Sequence, residues 1–155
     1  FRGGGVGFCC RSEWSVGKEI ALAEMVLRNG AARVGCLVVR ETSIVGEGVE
    51  AVKKVMAVSA HAELLAIRNA CLALQTLDLS GCVLYTTAEP CWMCSYAVRQ
   101  TCVGKVVIGR ATPRVGGISS NYPVLIDPKI PGWGKPPDIV SEVLERECLA
   151  LHPHS

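Results

Sequence analysis

Charged residues are few in this sequence, and no apolar run is long enough to cross a membrane. Lys, Arg, Asp and Glu make up 19% of the 155 residues, and the formal net charge is only +2. A charge this close to balance gives no strong electrostatic reason to expect a nucleic-acid partner. A membrane helix needs about 18 or more consecutive apolar residues, and no segment approaches that length.

The chain also shows no internal repeat, no domain linker and no apolar signal-peptide segment. Half of the residues are hydrophobic, which predicts a well-filled interior. We therefore predict a single domain over residues 1–155, with the glycine-rich residues 1–13 as a candidate disordered segment.

Cysteine, in contrast, is abundant, and its nine copies are an odd number. Disulfide frameworks belong mainly to short secreted chains with poor cores. Cys36, Cys71 and Cys82 instead lie in apolar stretches, where a free thiol behaves as a small hydrophobe. We therefore predict free cysteines and a reducing, cytoplasmic setting.

Hydrophobic periodicity predicts helices and strands in alternation, which is typical of a three-layer α/β/α sandwich. The residues from Ala111 to Asp138 are rich in Gly, Pro, Ser and Asn and predict a long loop that is either functional or disordered. The predicted elements are a helix at Trp14–Leu27, strands at Val34–Val39 and Ile44–Val49, a helix at Ala62–Leu74, a strand at Val83–Thr87, a helix at Cys91–Gln100, a strand at Val103–Ile108, and a strand and helix within Ile139–Leu151.

Two short motifs carry the chemistry: His61-Ala62-Glu63 and Pro90-Cys91-Trp92-Met93-Cys94. Two cysteines three residues apart can share one helical face, so both sulfurs and the imidazole can reach one zinc ion. Three protein ligands leave the fourth position open for water, whose pKa zinc lowers. Glu63 can then move protons between that water, a ring nitrogen and a departing amine. The pattern is the signature of zinc-dependent base deaminases.

A structural zinc site is the alternative interpretation, because Cys9 or Cys10 could supply a fourth ligand and close the coordination sphere. The other histidines, His152 and His154, lie at the C-terminal end. A carboxylate beside His61 would be costly to bury at a site with no proton to move, which favours catalysis. A non-catalytic, zinc-stabilised interaction protein stays open as the competing hypothesis.

At these motifs the chain resembles the cytidine deaminase-like superfamily, in the branch of bacterial tRNA adenosine deaminases and guanine deaminases. The resemblance implies a five-stranded mixed sheet between helices, a homodimer, and one Zn²⁺ per subunit held by His61, Cys91 and Cys94, with Glu63 as the proton shuttle. It extends to Val45-Gly46-Glu47-Gly48, Leu84-Tyr85-Thr86-Thr87, Val106-Val107-Ile108-Gly109 and Glu147-Cys148-Leu149-Ala150-Leu151.

The chain departs from the family pattern in three places. Glu50 stands where the family usually has a substrate-holding Asn; an ionised Glu only accepts hydrogen bonds, and a solvent-facing Glu50 is an equal alternative. Ala57-Val58-Ser59 replaces Asp-Pro-Thr, and the basic C-terminal helix of the tRNA enzymes is absent. We interpret the remaining basic residues as solvated surface: Lys53, Lys54, Arg99, Lys105, Arg110 and Arg114.

We therefore predict hydrolytic deamination of a small aminated heterocycle, a free nucleobase or nucleoside of guanine, adenine or cytosine type. Adenosine in tRNA is the alternative substrate, and nucleic acid is not favoured because phosphate contacts need clustered Lys and Arg. Trp133, flanked by glycines, could close over a bound ring as a lid, but anchoring of the loop to the core is the favoured interpretation. Substrate contacts are assigned to Glu50, Ala62, Glu89, Trp92 and Trp133.

Overall fold

The computed structural model describes residues 35–150. The predicted helix at Trp14–Leu27, the segment 1–13, Cys9, Cys10, His152 and His154 lie outside these residues. The described elements are β1 (Gly35–Arg40), β2 (Ser43–Val49), α1 (Val52–Val55), α2 (Ala62–Leu74), β3 (Cys82–Ala88), α3 (Trp92–Gln100), β4 (Lys105–Arg110), β5 (Asp138–Val140) and α4 (Glu145–Ala150).

The strands form one five-stranded mixed sheet in the order β2-β1-β3-β4-β5. Strand β1 pairs antiparallel with β2 and β3, whereas β3–β4 and β4–β5 are parallel. The β1–β2 hairpin and α2 appear where hydrophobic periodicity predicts them. Strand β4 begins later than predicted because Val103 is buried in the turn after α3, where its N–H donates to the Val98 carbonyl.

Alternating side chains give the sheet two buried faces. Val38, Leu84 and Val106 pack with Ala66 of α2 and with α3 on one face. On the opposite face Leu37, Val39, Tyr85 and Val107 pack together, and α4 lies against β4. Helices therefore cover both faces, and the predicted three-layer architecture is confirmed.

Two glycines of β2 bring the start of α2 close to the sheet. A Cβ at Gly46 would collide with the Ala66 carbonyl oxygen, and one at Gly48 would collide with the Ala62 carbonyl oxygen. The facing stripe of Ala62, Ala66 and Ala70 is fully buried. This tight packing fixes the first turn of α2, which carries Glu63.

The seven cysteines within 35–150 are all free thiols, as predicted for that part of the chain. Across the same residues, no helix combines the length and apolar character needed to span a membrane.

Candidate active site

The two motifs meet because each begins a helix at the same end of the sheet. His61 is the N-cap residue of α2 and Cys91 is the N-cap residue of α3, both with extended backbone. Neither side chain caps its own helix, so both are free to face each other. Strand β3 ends at Ala88, and the Glu89-Pro90 step that follows leads directly to Cys91.

The three candidate ligand atoms have the spacing that zinc requires. Nδ1 of His61 lies 3.5 Å from Sγ of Cys91 and 3.6 Å from Sγ of Cys94, and all three atoms lie within 4.8 Å of one another. Tetrahedral Zn–N bonds of about 2.0–2.1 Å and Zn–S bonds of about 2.3 Å place N and S roughly 3.5–3.6 Å apart. The arrangement therefore fits a zinc ion.

The two thiols differ in acidity because they compete for one proton. A hydrogen bond from Cys94, helped by the backbone N–H groups of Cys94 and Met93, lowers the pKa of Cys91 to about 5. The same interaction with Cys91, together with burial, raises the pKa of Cys94 above its ordinary value. The pair therefore carries one negative charge readily, and binding of a metal cation favours loss of the second proton.

Glu63 is buried beside this cluster, with 4% of its surface exposed. Oε2 accepts a hydrogen bond from the Cys94 thiol at 3.5 Å, and Oε1 lies 3.2 Å from the Thr86 hydroxyl, which also contacts the Ala88 carbonyl at 2.8 Å. Burial raises the pKa of Glu63 above its ordinary value. A carboxyl group with a raised pKa takes up a proton more readily than an ordinary one, as a proton shuttle must.

A cavity of about 180 Å³ opens beside His61 and Glu63. Three of the predicted substrate contacts, Glu50, Ala62 and Glu89, line it, and Glu50 is half-buried there. Trp92 and Trp133 are not among its lining residues. The other residues that line the cavity are Ala88, Cys91, Arg110, Thr112 and Val115.

The carboxylate of Glu89 is committed to the loop after β4. It accepts hydrogen bonds from the backbone N–H groups of Thr112 (2.9 Å), Ile118 (3.0 Å) and Ser119 (2.8 Å), and from the Ser119 hydroxyl. So many donors leave little capacity for a substrate. The structure therefore gives Glu89 a loop-positioning role, which its position before Cys91 did not indicate.

Trp133 lies against α3, whereas a lid would lie over the substrate. Its ring meets Tyr96 edge-to-face at 5.1 Å, and the Arg99 guanidinium carbon lies 5.3 Å from its centroid. Arg99 is 1% exposed and donates to the carbonyls of Val124, Asp127 and Gly134. This packing agrees with the loop-anchoring interpretation of Trp133, because the aromatic and cationic partners that contact it belong to α3.

Trp92 is exposed and likewise packs on the loop. Its Nε1 donates to the Ser120 hydroxyl at 3.2 Å, and its ring lies 5.7 Å from that of Tyr122.

Two basic residues interpreted as solvated surface are in fact buried. Arg99 holds the loop as described above, and Arg110 is 9% exposed and lines the cavity. A signal for Arg110 was present in the sequence, because it ends the apolar run Val106–Gly109 at the carboxyl end of a predicted strand. Ligands of α/β sheets bind at the carboxyl ends of parallel strands.

Comparison with known proteins matches residues 13–110, more than half of the chain, to the family described as the cytidine and deoxycytidylate deaminase zinc-binding region. The chain belongs to this deaminase family. It is a zinc-dependent hydrolase acting on C–N bonds, as the motifs predict.

Relatives of this deaminase are named either as tRNA adenosine deaminases or as guanine deaminases. The chain is 36% identical over 121 residues to a "tRNA-specific adenosine deaminase" of Aquifex aeolicus, covering 74% of this chain and 80% of that protein. A solved structure from studies of tRNA:A34 deaminases superposes with a TM-score of 0.75 at 27% identity, covering 87% of this chain and 99% of the other. A guanine deaminase of Nitrosomonas europaea, at 22% identity and a TM-score of 0.62, covers 97% and 93% and shows the shared fold alone.

Proposed function

We propose that this deaminase replaces the exocyclic amino group of a nucleobase-type heterocycle with oxygen, consuming water and releasing ammonia. One observation carries the proposal: a buried carboxyl with a raised pKa adjoins a His-Cys-Cys cluster of zinc spacing at one wall of a cavity. The cavity is smaller than the roughly 300–1,000 Å³ typical of drug-sized ligands, which suits a compact ring.

His61, Cys91 and Cys94 would hold the zinc ion, which when bound supplies the Lewis acidity that activates water near neutral pH. Glu63 accepts a proton in the cavity, delivers it to a ring nitrogen of the substrate and supports departure of the amine as ammonia. Burial of Glu63 excludes bulk water from this transfer, and the Thr86 hydroxyl near its Oε1 helps orient the carboxylate.

Glu50 and Ala62 are the candidate contacts to the substrate itself. An ionised Glu50 accepts hydrogen bonds and therefore favours a ring edge that presents N–H groups. Ala62 begins α2, where backbone N–H groups lack an intrahelical partner, so a substrate acceptor can bind there.

A guanine-, adenine- or cytosine-like base, free or in a nucleoside, is the first candidate substrate. Adenosine within tRNA is the second, and the name and 36% identity of the Aquifex relative favour it.

Ammonia release by the zinc-loaded protein from bases and nucleosides, together with inosine formation in an anticodon stem-loop, tests both candidates. Turnover should fall by roughly 10²- to 10⁴-fold in Glu63→Gln and persist in Glu47→Gln, a matched change at an exposed residue of β2. A zinc-loaded protein that acts on none of these substrates would contradict the proposed function.

We also propose a homodimer formed through the exposed side of α3, where Trp92, Met93 and Tyr96 are 39%, 38% and 49% exposed. Apolar side chains clustered on one helix are typical of an interface. Light scattering should give a dimer mass that falls to the monomer value in Met93→Glu/Tyr96→Glu. A monomeric wild-type protein at micromolar concentration would contradict this assembly.

A further inference from the structure

Val115 is an exposed apolar residue on the loop after β4, and it lines the cavity that contains Glu63. Among residues 35–150, the other aliphatic residues around this cavity are Ala62 and Ala88, whose side chains are single methyl groups. These two alanines are 0% and 5% exposed, whereas 44% of Val115 is exposed. Val115 therefore lies on the open side of the cavity and supplies its largest aliphatic side chain.

The turn that carries Val115 is held on both sides by the carboxylate of Glu89. Before the turn, the N–H of Thr112 donates to Oε2 at 2.9 Å. After it, the N–H groups of Ile118 and Ser119 donate to Oε1 at 3.0 and 2.8 Å. A residue between two such anchors keeps a fixed position relative to the cavity.

The same turn is tied to the segment that precedes α3. Gly116 forms an isolated antiparallel bridge with Cys91, and the N–H of Gly117 donates to the Pro90 carbonyl at 2.9 Å. Val115 is therefore one residue away from a backbone contact to a candidate zinc ligand. The loop places it beside the reacting end of the cavity.

A planar heterocycle in this cavity has polar edges and two apolar faces. Glu63, Glu50 and the first N–H groups of α2 offer hydrogen bonds, which a ring donates or accepts at its edges. The face of an aromatic ring gains most from apolar atoms in van der Waals contact. Because Val115 is the largest aliphatic residue of the cavity wall, it is the side chain best suited to that contact.

We infer that Val115 is a specificity-determining residue, whose side chain packs on the face of the bound ring and limits the size of the ring system beside Glu63. The inference rests on the proposed function and deepens it, because it assigns discrimination between one-ring pyrimidines and two-ring purines to the loop that Glu89 holds. A single methylene group in an apolar pocket changes such discrimination by roughly 10- to 200-fold, so one side chain is sufficient.

Binding of unsubstituted purine and pyrimidine to the zinc-loaded protein tests the ring contact without deamination, because neither ring carries an amino group that can leave. Val115→Thr keeps the shape of the side chain and replaces one methyl group with a hydroxyl group. By calorimetric titration, we expect it to weaken purine binding by roughly 3- to 10-fold, less than a fully enclosed methylene because Val115 is partly exposed. Val58→Thr, the same change at a residue that is 80% exposed and does not line the cavity, is the matched control.

Val115→Phe tests the size limit. The larger side chain fills part of the cavity, so we expect the ratio of purine affinity to pyrimidine affinity to fall by roughly 10-fold or more. This ratio separates a specificity residue from a structural one, because a general loss of structure weakens binding of both rings alike. The melting temperature and zinc content of both variants should stay at wild-type values, because Val115 is exposed.

Equal purine affinity in the wild-type protein and Val115→Thr would overturn the inference. An unchanged or increased ratio of purine to pyrimidine affinity in Val115→Phe would overturn it as well, as would a wild-type protein that binds neither ring at millimolar concentration. If Val115→Phe fails to fold, the isosteric Val115→Thr still decides.

Ammonia release from aminated purines and pyrimidines separates this inference from the proposed function. We expect the ratio of kcat/KM for two-ring over one-ring substrates to fall in Val115→Phe, in parallel with the binding ratio. Wild-type turnover with the same substrate preference in both variants would overturn the specificity role and leave the deaminase function intact. Ring binding that depends on Val115, without turnover of any aminated ring, would contradict the function and leave the ring contact intact.

Discussion

The start of α2 and the turn between β3 and α3 each place a buried glutamate on the same cavity, but the two carboxylates differ in their partners. Glu63 and Glu89 are both 4% exposed. Among residues 35–150, the Thr86 hydroxyl and the Cys94 thiol are the side-chain groups near the oxygens of Glu63, whereas Glu89 accepts from three backbone N–H groups and from the Thr112 and Ser119 hydroxyls.

This contrast shows that, between two equally buried carboxylates, the hydrogen-bond partners separate a group that can do chemistry from one that holds structure. A carboxylate that accepts from many donors fixes the positions of its neighbours. Burial raises the pKa of Glu63, and this carboxyl group is free to exchange protons. Substitutions at each end of the site should therefore have opposite effects on activity and on stability.

The largest loss of activity and stability should follow removal of a thiol, because Cys94 is both a candidate zinc ligand and a contact of Glu63. We expect Cys94→Ala to lose bound zinc and all measurable turnover, and to lower stability, since metal binding is coupled to folding. Zinc content by mass spectrometry and thermal unfolding measure both effects. Cys102→Ala, an exposed thiol away from the cluster, is the control. Stoichiometric zinc in Cys94→Ala would refute the ligand assignment.

Glu63→Gln should keep zinc and lose roughly 10²- to 10⁴-fold in kcat, the usual range for an acid–base group. Because burial raises the pKa of Glu63, stability is greatest below the ordinary carboxyl pKa and is lost as pH rises from there through the raised pKa of the folded state. The neutral amide should therefore leave stability unchanged or higher above that pH. Single-turnover kinetics and urea unfolding provide the two measurements. Near-normal kcat would remove Glu63 from the mechanism.

Glu89→Gln should show the reverse pattern. The loop N–H and hydroxyl groups donate to both carboxylate oxygens of Glu89, but the amide of Gln replaces one oxygen with an NH₂ group that cannot accept. Several buried hydrogen bonds are therefore lost, at a cost of about 2–4 kcal/mol in unfolding free energy. Activity should fall only indirectly, through displacement of the loop, and protease cleavage within 112–119 should become faster. If Glu89→Gln unfolds like the wild-type protein and the loop stays resistant, the loop-positioning role is wrong.

The cluster around Glu63 could be predicted from the sequence, whereas the loop that Glu89 holds could not. His61, Glu63, Cys91 and Cys94 lie in two short motifs whose spacing fixes their chemistry, and the hydrophobic periods that predict α2 and the sheet are equally local. The partners of Glu89, Arg99 and Trp133 lie 23 or more residues away in the chain. No local pattern records such pairings, which explains why Arg99 was interpreted as surface. Arg110 was interpreted as surface although its position at the end of a predicted strand was a local signal.

Glu50 should give the smallest effect of the three glutamates, because it lines the cavity and is only half-buried. Glu50→Asn replaces a carboxylate, which only accepts hydrogen bonds, with a planar amide that both donates and accepts, on a side chain shorter by one methylene group. Within residues 35–150, Glu50 carries no fold-supporting contact comparable to those of Glu89, so we expect a change of unfolding free energy within about 0.5 kcal/mol.

Relative kcat/KM across the substrate panel should shift by roughly 10-fold in Glu50→Asn, the scale of one hydrogen bond gained or lost at a ring edge. The direction is informative: substrates that present a carbonyl should gain and those that present N–H groups should lose. Glu47→Asn, an equivalent change on the exposed edge of β2, should leave the profile unaltered. An unaltered profile in Glu50→Asn as well would place Glu50 outside substrate recognition, and specificity would then reside in the loop that Glu89 holds.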